Sequence, residues 1–223
     1  MKGLEMGTGK RLTEVIGDEF GNAVQVGIWV GPGHVQDLLH DVPTCMVIDS
    51  DDRLRTQRMA DAFASPLLRF YYGNDLLGNE VGAAAKNVDG VAAGMLDGLG
   101  LSSLKGALMA RGAREVSRLI HAMGGLELTA YGLGHLGDYA ATLFSPYSHN
   151  RAFGEAFVQG RQFDRLAEGV PTTAALVKLA KHYGVDMPVS TAVHRSITGE
   201  LNPREALEML FLRPLRSEFV STY

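Results

Sequence analysis

Residues 78–100 have the sequence GNEVGAAAKNVDGVAAGMLDGLG, which consists almost entirely of small and apolar side chains. Such a run predicts a long helix that other segments approach closely on several sides, because glycine and alanine carry little side-chain bulk. One cation, Lys86, and one amide, Asn87, lie in the middle of this helix. We expect the rest of the chain to be organised around it.

Lys86 has two interpretations. Loss of water around a buried lysine lowers its ammonium pKa, which favours a role as a proton shuttle. Long cationic side chains also commonly lie along apolar surface with only the charged end in water. The composition of the helix alone slightly favours this second, structural role.

The overall composition is that of an ordinary globular chain, with 46% hydrophobic and 21% charged residues. A net charge of -4 indicates no nucleic-acid partner. The single cysteine, Cys45, excludes an intrachain disulfide and suits a reducing compartment. No apolar run is long enough for a membrane span, and residues 1–11 lack the pattern of a signal peptide. We therefore expect a cytoplasmic protein.

Strand and helix patterns alternate through the first 73 residues. Strands are predicted at 23–30, 44–48 and 67–72, and helices at 8–20 (capped by Thr8), 34–40 and 51–64. This alternation is typical of an α/β layer. Three strands are nevertheless too few for a doubly wound sheet that is covered on both faces.

From Asn74 onward only helices are predicted. They span residues 78–100, 102–123, 150–159, 172–182, 189–197 and 203–210. The change of pattern predicts two parts, residues 1–73 and residues 74–223. The expected fold class is α+β and mostly α.

Two glycine-rich segments are candidate ligand sites. Gly31-Pro32-Gly33 follows the first predicted strand and is a weak substrate or phosphate signal, since most such turns only redirect the chain. It is not a GxGxxG dinucleotide fingerprint. The segment 132–154 contains Asp138, which either caps a helix or pairs with Lys86 as its charge partner.

The same segment contains the run Ser148-His149-Asn150-Arg151 where a helix is expected to begin. A helix start presents N–H groups and a positive dipole end to an anion, and a neighbouring arginine strengthens binding of phosphate. A capped helix with a surface arginine is the alternative. The remaining histidines lack the spacing of metal ligands, so no metal site is predicted.

Six stretches together resemble a known family. They are KGLEMGTGKRLTEV, WVGPGH, GNEVGAAAKNVDGVAAGMLDGLG, SPYSHNRAFGE, AEGVPTTAALVKLAKHYGVDMPVSTAV and NPREALEMLFLRPLRSE. In order and over essentially the whole chain they are similar to bacterial NAD(P)-dependent glycerol-3-phosphate dehydrogenase. The resemblance implies a three-strand remnant of a parallel Rossmann α/β sheet followed by an all-α substrate domain of the 6-phosphogluconate-dehydrogenase C-terminal type. It also implies interconversion of dihydroxyacetone phosphate and sn-glycerol 3-phosphate with NAD or NADP, for glycerophospholipid synthesis, by a homodimer.

The resemblance assigns roles to individual residues. Lys86 aligns with the catalytic lysine that transfers the proton. The substrate-binding positions are Lys2, Gly31, Gly33, Lys86, Asp138, Ser148, His149 and Asn150. The cofactor-binding positions are Lys2, Val35, His149, Leu166 and Glu168.

The sequence departs from the family pattern at several points. His149 stands where the family usually has an arginine, for which Arg151 is expected to compensate, and His135 replaces a usual glycine. The first half of the Rossmann unit, with its glycine-rich phosphate loop, is missing from these 223 residues. We therefore expect no measurable NAD(P)H oxidation from these residues alone.

The sequence is compatible with three functions. The first is the dehydrogenase itself. The second is a truncated, catalytically inactive remnant that binds a phosphate ligand or dimerises through an exposed sheet edge. The third is a related dehydrogenase acting on a 3-hydroxy acid, which the phosphate element disfavours.

Overall fold

A computed structural model describes residues 2–215, 217 and 218, with Asn22 described only in its backbone. Within this part of the chain the strands are β1 (Gly27–Val30), β2 (Thr44–Ser50) and β3 (Leu68–Tyr72). The α-helices are α1 (Leu12–Phe20), α2 (Val35–Leu39), α3 (Arg53–Phe63), α4 (Leu76–Gly98), α5 (Lys105–Ala122), α6 (Asp138–Phe144), α7 (His149–Val158), α8 (Gly169–His182), α9 (Pro188–Ile197) and α10 (Pro203–Phe211).

Helix α4 is the axis of the structure, as its sequence predicts. All of its residues from Gly78 to Leu96 are buried, and α5, α6, α7, α8 and α9 pack against it. A Cβ atom added at Gly94 would lie 1.8 Å from the carbonyl oxygen of Arg151 in α7, and one added at Gly154 would lie 2.1 Å from the carbonyl oxygen of Val91. The backbones of α4 and α7 are therefore in direct contact.

The sheet has the order β1-β2-β3 and is mixed. Strands β2 and β3 are parallel, with Ile48 opposite Tyr72, whereas β1 is antiparallel to β2. The expectation of a parallel remnant is thus wrong for β1. Helix α3, which buries Thr56 and Ala60, provides the crossover that parallel strands need. Helix α2 has five residues and buries none of them, so it does not cover the sheet as a crossover helix does.

The first helix begins later than predicted, at a point where a local capping contact between Arg11 and Glu14 coincides with tertiary contacts to α4. Thr8 does not cap it; α1 begins at Leu12, and the Thr8 hydroxyl instead bonds Glu5. The buried carboxylate of Glu80 in α4 accepts hydrogen bonds from Arg11 Nη1 at 2.8 Å and from Thr13 N at 3.0 Å. These contacts hold the amino-terminal segment against α4.

Further boundaries differ from the predictions, among them the start of α5, which lies at Lys105 and not at residue 102. Residues 21–23 form a short 3-10 helix, so β1 begins at Gly27 and not at residue 23. Helix α8 begins at Gly169, three residues before the predicted start, where the Gly169 N–H donates to Asn150 Oδ1 at 2.8 Å.

Two buried aspartates join the sheet to the helical part. Asp49, at the end of β2, accepts hydrogen bonds from Asp75 N at 3.0 Å and from Asn79 Nδ2 at 2.8 Å. Asp75 in turn caps α4 by accepting from Gly78 N, and it also accepts from Leu126 N at 2.9 Å. The start of α4 is therefore attached both to the sheet and to the segment after α5. None of the helices described here is long and apolar enough to cross a membrane.

The contact between α4 and α7 can be tested with Gly94→Ala. We expect this substitution to lower the free energy of unfolding by at least about 1–3 kcal/mol, since the added methyl group overlaps the carbonyl oxygen of Arg151. The control is Gly106→Ala in α5, where an added Cβ meets no atom within 4 Å. The control should be neutral or stabilising by up to about 1 kcal/mol. Urea unfolding measures both, and equal effects would contradict the proposed contact.

Candidate active site

One carboxylate lies between two lysines at the middle of α4. The Lys86 side chain is 10% exposed, and its Nζ lies 3.0 Å from Asp138 Oδ2. The ammonium of Lys2 contacts the same oxygen of Asp138. Lys86 Nζ also donates a hydrogen bond of 3.1 Å to Thr142 Oγ1. The structure thus brings together Lys2, Lys86 and Asp138 in one cluster.

The surroundings of Lys86 weaken its hold on a proton. Burial is the largest effect and lowers the pKa of Lys86, and the nearby positive charge of Lys2 lowers that pKa further. Asp138 acts in the opposite direction, although the net shift of the pKa remains downward. Lys86 therefore releases its proton more readily than a surface lysine does.

Helix α6 places two polar groups opposite Lys86. Asp138 is its first residue and follows a π-helical turn over Leu133–Gly137. Thr142 lies one turn later, and its hydroxyl donates to the carbonyl oxygen of Asp138 at 2.7 Å. Turns of this π type occur frequently at functional sites. Helix α6 therefore presents Asp138 and Thr142 to the lysine on the same side.

A chain of amides extends from Lys86 toward α7 and α8. Asn87 Nδ2 donates to the carbonyl oxygen of Lys2 at 3.3 Å and to Glu168 Oε2 at 3.4 Å. Asn150 Nδ2 donates to Asn87 Oδ1 at 3.0 Å. Sequence reasoning did not name Asn87 or Thr142 as site residues. The signal for Asn87 was its position next to Lys86 in a helix predicted to be buried, and the signal for Thr142 was its position in the same glycine-rich segment as Asp138.

The start of α7 faces an open cleft. Ser148 caps this helix and accepts a hydrogen bond from Arg151 N at 3.2 Å. The cleft has a volume of about 480 Å³ and is lined by His149, Asn150, Arg165, Leu166 and Glu168. Four of these five residues are among the sequence-predicted positions, and Arg165 is the one that sequence reasoning missed.

Arg151 is not oriented as expected. Its guanidinium contacts Asp97 Oδ2 at 2.9 Å and Glu155 Oε2 at 3.1 Å, and it donates to the carbonyl oxygen of Ser145 at 3.3 Å. Lys105 of α5 lies 2.6 Å from the same Asp97 oxygen. The expectation that Arg151 compensates for His149 is therefore wrong, because its charge is already engaged between α4 and α7.

The predicted glycine turn packs against β2. Gly31 has a φ of +133°, and a Cβ added there would lie 3.0 Å from Met46 Cα. A Cβ at Gly33 would lie 2.6 Å from Met46 Sδ. Val35 is 65% exposed at the start of α2. Packing against Met46 explains why both positions are glycine. The substrate contacts of Gly31 and Gly33 and the cofactor contact of Val35 remain predictions.

The described residues contain no cluster of three or more His, Cys, Asp or Glu side chains that is arranged to hold a metal ion. A strand-containing layer, a helical part built on one buried helix, and a lysine–carboxylate cluster beside a helix start together define a protein of the two-part dehydrogenase type. The family model described as NAD-dependent glycerol-3-phosphate dehydrogenase C-terminus matches residues 75–208, and the corresponding N-terminus model matches residues 1–55. The chain belongs to the NAD-dependent glycerol-3-phosphate dehydrogenase family, as the resemblance of its sequence indicated.

Individual relatives agree with this assignment. Glycerol-3-phosphate dehydrogenase [NAD(P)+] 2 of Salinibacter ruber is 37% identical over 97% of this chain, and the Aromatoleum aromaticum protein named glycerol-3-phosphate dehydrogenase [NAD(P)+] is 38% identical over 97%. The chain spans 66% and 69% of the lengths of these two relatives. A crystal structure of glycerol-3-phosphate dehydrogenase from Coxiella burnetii superposes with a TM-score of 0.86 at 30% identity, over 95% of this chain and 67% of that one.

The electrostatic role of Asp138 can be tested with Asp138→Asn. Loss of the anion leaves Lys2 and Lys86 facing each other, so the pKa of Lys86 should fall further. A pH titration of the lysine side chains by 13C NMR measures this pKa. The matched control is Asp97→Asn, which removes the partner of another buried lysine, Lys105. The control should leave the Lys86 pKa unchanged. An unchanged or higher Lys86 pKa in Asp138→Asn would contradict the described charge balance.

Proposed function

We propose that this chain supplies the substrate-binding and proton-transfer site of an NAD(P)-dependent glycerol-3-phosphate dehydrogenase. Residues 1–73 form the part on the cofactor side, and residues 74–223 form the helical substrate part. The observation that carries the proposal is the buried Lys86–Asp138–Lys2 cluster beside the start of α7. The reaction is the interconversion of dihydroxyacetone phosphate and sn-glycerol 3-phosphate.

Lys86 is the acid and base of this reaction. In the direction of ketone reduction its ammonium donates a proton to the oxygen on C2, and in the reverse direction the neutral amine takes that proton back. The lowered pKa of Lys86 suits both steps. Before the transfer, the positive charge of Lys86 stabilises the negative charge that develops on the oxygen.

Asp138 and Thr142 keep Lys86 in place for this transfer. Asp138 accepts one N–H of the ammonium and Thr142 accepts another, at 3.0 and 3.1 Å. A lysine has three N–H donors in total, so one remains for the substrate oxygen. Lys2 adds a second positive charge that Asp138 balances.

The start of α7 is the proposed phosphate site. Its free N–H groups and the positive end of its dipole favour an anion, and Ser148 and Asn150 position this helix end. His149 is exposed there, and Arg165 lines the same cleft. A cationic side chain is therefore available beside the helix even though Arg151 is engaged elsewhere.

The residues around the cleft also fit one end of a nicotinamide cofactor. Leu166 offers an exposed apolar surface, while Glu168 contacts Asn87 and so lies close to Lys86 along the amide chain. These two residues, with Lys2 and His149, would hold the cofactor. When bound, NAD(P) supplies or accepts the hydride at C2 of the substrate. The described residues serve to orient the substrate and to move the proton.

The proton role of Lys86 is tested with Lys86→Met in a chain that joins the first half of a Rossmann unit to these residues, because no NAD(P)H oxidation is expected from these residues alone. The assay is NAD(P)H oxidation with dihydroxyacetone phosphate. Loss of a general acid typically costs about 10²–10⁴ in rate, so kcat should fall by at least about 100-fold. Binding of glycerol 3-phosphate should change much less, because α7 is untouched. The matched control is Lys181→Met on the exposed side of α8, which should turn over like the unsubstituted chain.

The outcomes of this assay separate the proposed functions. A Lys86→Met variant that retains the original kcat would rule out the proton role. Saturable binding of glycerol 3-phosphate without any NAD(P)H oxidation by the unsubstituted extended chain would favour the alternative, a catalytically inactive domain that binds a phosphate ligand.

A second test restores the arginine that the family usually has at the start of α7. His149→Arg adds a permanent charge and a bidentate donor, so we expect glycerol 3-phosphate to bind about tenfold more tightly, equivalent to about 1.4 kcal/mol. Isothermal titration calorimetry measures the change. His40→Arg, an exposed substitution at the end of α2, is the control and should have no effect. Unchanged affinity in His149→Arg would place the phosphate elsewhere.

Assembly into a homodimer and a cytoplasmic location also stay predictions. Strand β3 is an outer strand of the three-stranded sheet, and it exposes the rings of Tyr71 and Tyr72. An outer strand of this kind offers N–H and C=O groups to another chain. Sedimentation velocity distinguishes a dimer from a monomer.

A further inference from the structure

Three buried titratable side chains that the proposed reaction does not use meet beside α4. They are Asp89 of α4, His135 of the π-helical turn and Tyr139 of α6, and none is more than 1% exposed. His135 Nε2 lies 4.0 Å from Asp89 Oδ2, and the ring centroids of His135 and Tyr139 are 5.6 Å apart. A Cβ at Gly112 would lie 2.7 Å from Asp89 Oδ1 and 3.2 Å from Tyr139 Oη, so these two oxygens converge on the same place.

Each of the three side chains has a buried atom that needs a hydrogen-bond partner. Among the described residues, Asp89 Oδ2, His135 Nε2 and Tyr139 Oη are buried without one. An ionised carboxylate in this position would be an uncompensated buried charge, which is far more costly than a neutral polar group. The cluster is therefore best satisfied by neutral groups that bond to one another.

The proton positions in the cluster follow from His135. Its Nδ1 lies 2.9 Å from the carbonyl oxygen of Gly82, and a carbonyl only accepts, so Nδ1 carries the hydrogen. Burial lowers the pKa of His135 to about 4, so the ring is neutral at pH 7 and its Nε2 is an acceptor. The group that faces this acceptor is the Asp89 carboxyl, which is a donor only when it is protonated.

The charges around the cluster favour a protonated Asp89. Burial raises its pKa well above the ordinary value, and the carboxylate of Glu115 on α5 raises that pKa further. Burial raises the pKa of Glu115 to about 7, and the positive charge of Arg118 of α5 acts to lower that pKa. Two charges act on the pKa of His135 in opposite directions: the negative charge of Asp138 raises it and the positive charge of Lys86 lowers it. Burial also keeps the Tyr139 hydroxyl protonated by raising its pKa.

We propose that Asp89 is a protonated positioning residue whose carboxyl group donates to His135 Nε2 and accepts from Tyr139 Oη. The resulting chain of neutral hydrogen bonds connects α6, α4 and the π-helical turn, ending at the Gly82 carbonyl oxygen. The bond between Asp89 and His135 requires their side chains to rotate so that the 4.0 Å between them shortens. Because Asp138 lies between His135 and Tyr139 in the sequence, this chain holds Asp138 against Lys86. That last consequence rests on the proposed function, whereas the protonation of Asp89 does not.

The protonation of Asp89 is tested with Asp89→Asn. The amide keeps a donor for His135 and an acceptor for Tyr139 but cannot ionise. Native Asp89 retains a proton that the unfolded chain loses above a pH of about 4, so the stability of the native protein falls as pH rises, and the variant lacks this contribution. Between about pH 5 and pH 7 the unfolding constant of the unsubstituted protein should therefore rise tenfold per pH unit relative to that of Asp89→Asn.

The matched control for this measurement is Asp61→Asn, an exposed substitution in α3. The unfolding constant of this control should change with pH in the same way as that of the unsubstituted protein. Infrared spectroscopy supplies an independent reading. Because burial raises the pKa of Glu115 to about 7, the carbonyl band of protonated Asp89 is read at pH 7 from the difference between the spectra of the unsubstituted protein and Asp89→Asn. The proposal would be overturned if the unfolding constants of the unsubstituted protein and Asp89→Asn changed equally from pH 5 to pH 7. Absence of the Asp89 carbonyl band would also overturn it. Neither measurement depends on substrate or turnover.

The positioning role has its own test. Asp89→Leu removes both hydrogen bonds, so Asp138 should move away from Lys86 and the pKa of Lys86, measured by 13C NMR, should fall. Asp89→Asn should restore the original pKa because it restores both bonds. The same Lys86 pKa in all three proteins would overturn the positioning role while leaving the protonation of Asp89 to the unfolding measurement.

Discussion

The contact between the backbones of α4 and α7 determines where the candidate site lies. Gly94 and Gly154 allow a carbonyl oxygen of the opposite helix to approach where any side chain would overlap it. Because the two helices meet in this way, Asn150 at the start of α7 reaches Asn87 at 3.0 Å. The proposed anion site is thereby held beside the proposed proton donor. Both belong to rigid helices, which position reacting groups more accurately than loops do.

Because α4 is buried on all sides, its charged side chains need compensation, and three of them obtain it in different ways. Glu80 is neutralised by Arg11 and by hydrogen bonds from Thr13. Lys86 is paired with Asp138, which it shares with Lys2, while burial keeps the pKa of Lys86 lowered and its proton available. Asp89 has no cation beside it among the described residues, and in our proposal it avoids an isolated charge by keeping its proton.

Much of the architecture was predictable because it depends on local pattern. The small-residue run of α4, the alternation of the first 73 residues and the helical remainder all follow from residue size and periodicity. The direction of β1 was not predictable, since it depends on whether the short α2 covers the sheet. The start of α1 was missed; it contacts Glu80, which lies far away in the sequence, as well as the local Glu14. Asn87 and Thr142 were missed because their importance comes from partners on other helices.

The sequence by itself determined the family, the buried central helix and the identity of Lys86 as a candidate acid. These properties depend on which residues are present and on their local order. Only the tertiary structure decided that Asp138 lies between two lysines, that Arg151 is engaged by Asp97 and Glu155, and that Asp89 meets His135 and Tyr139. Charge and protonation in a buried site depend on distances between residues that are remote in the chain. No local pattern contains those distances.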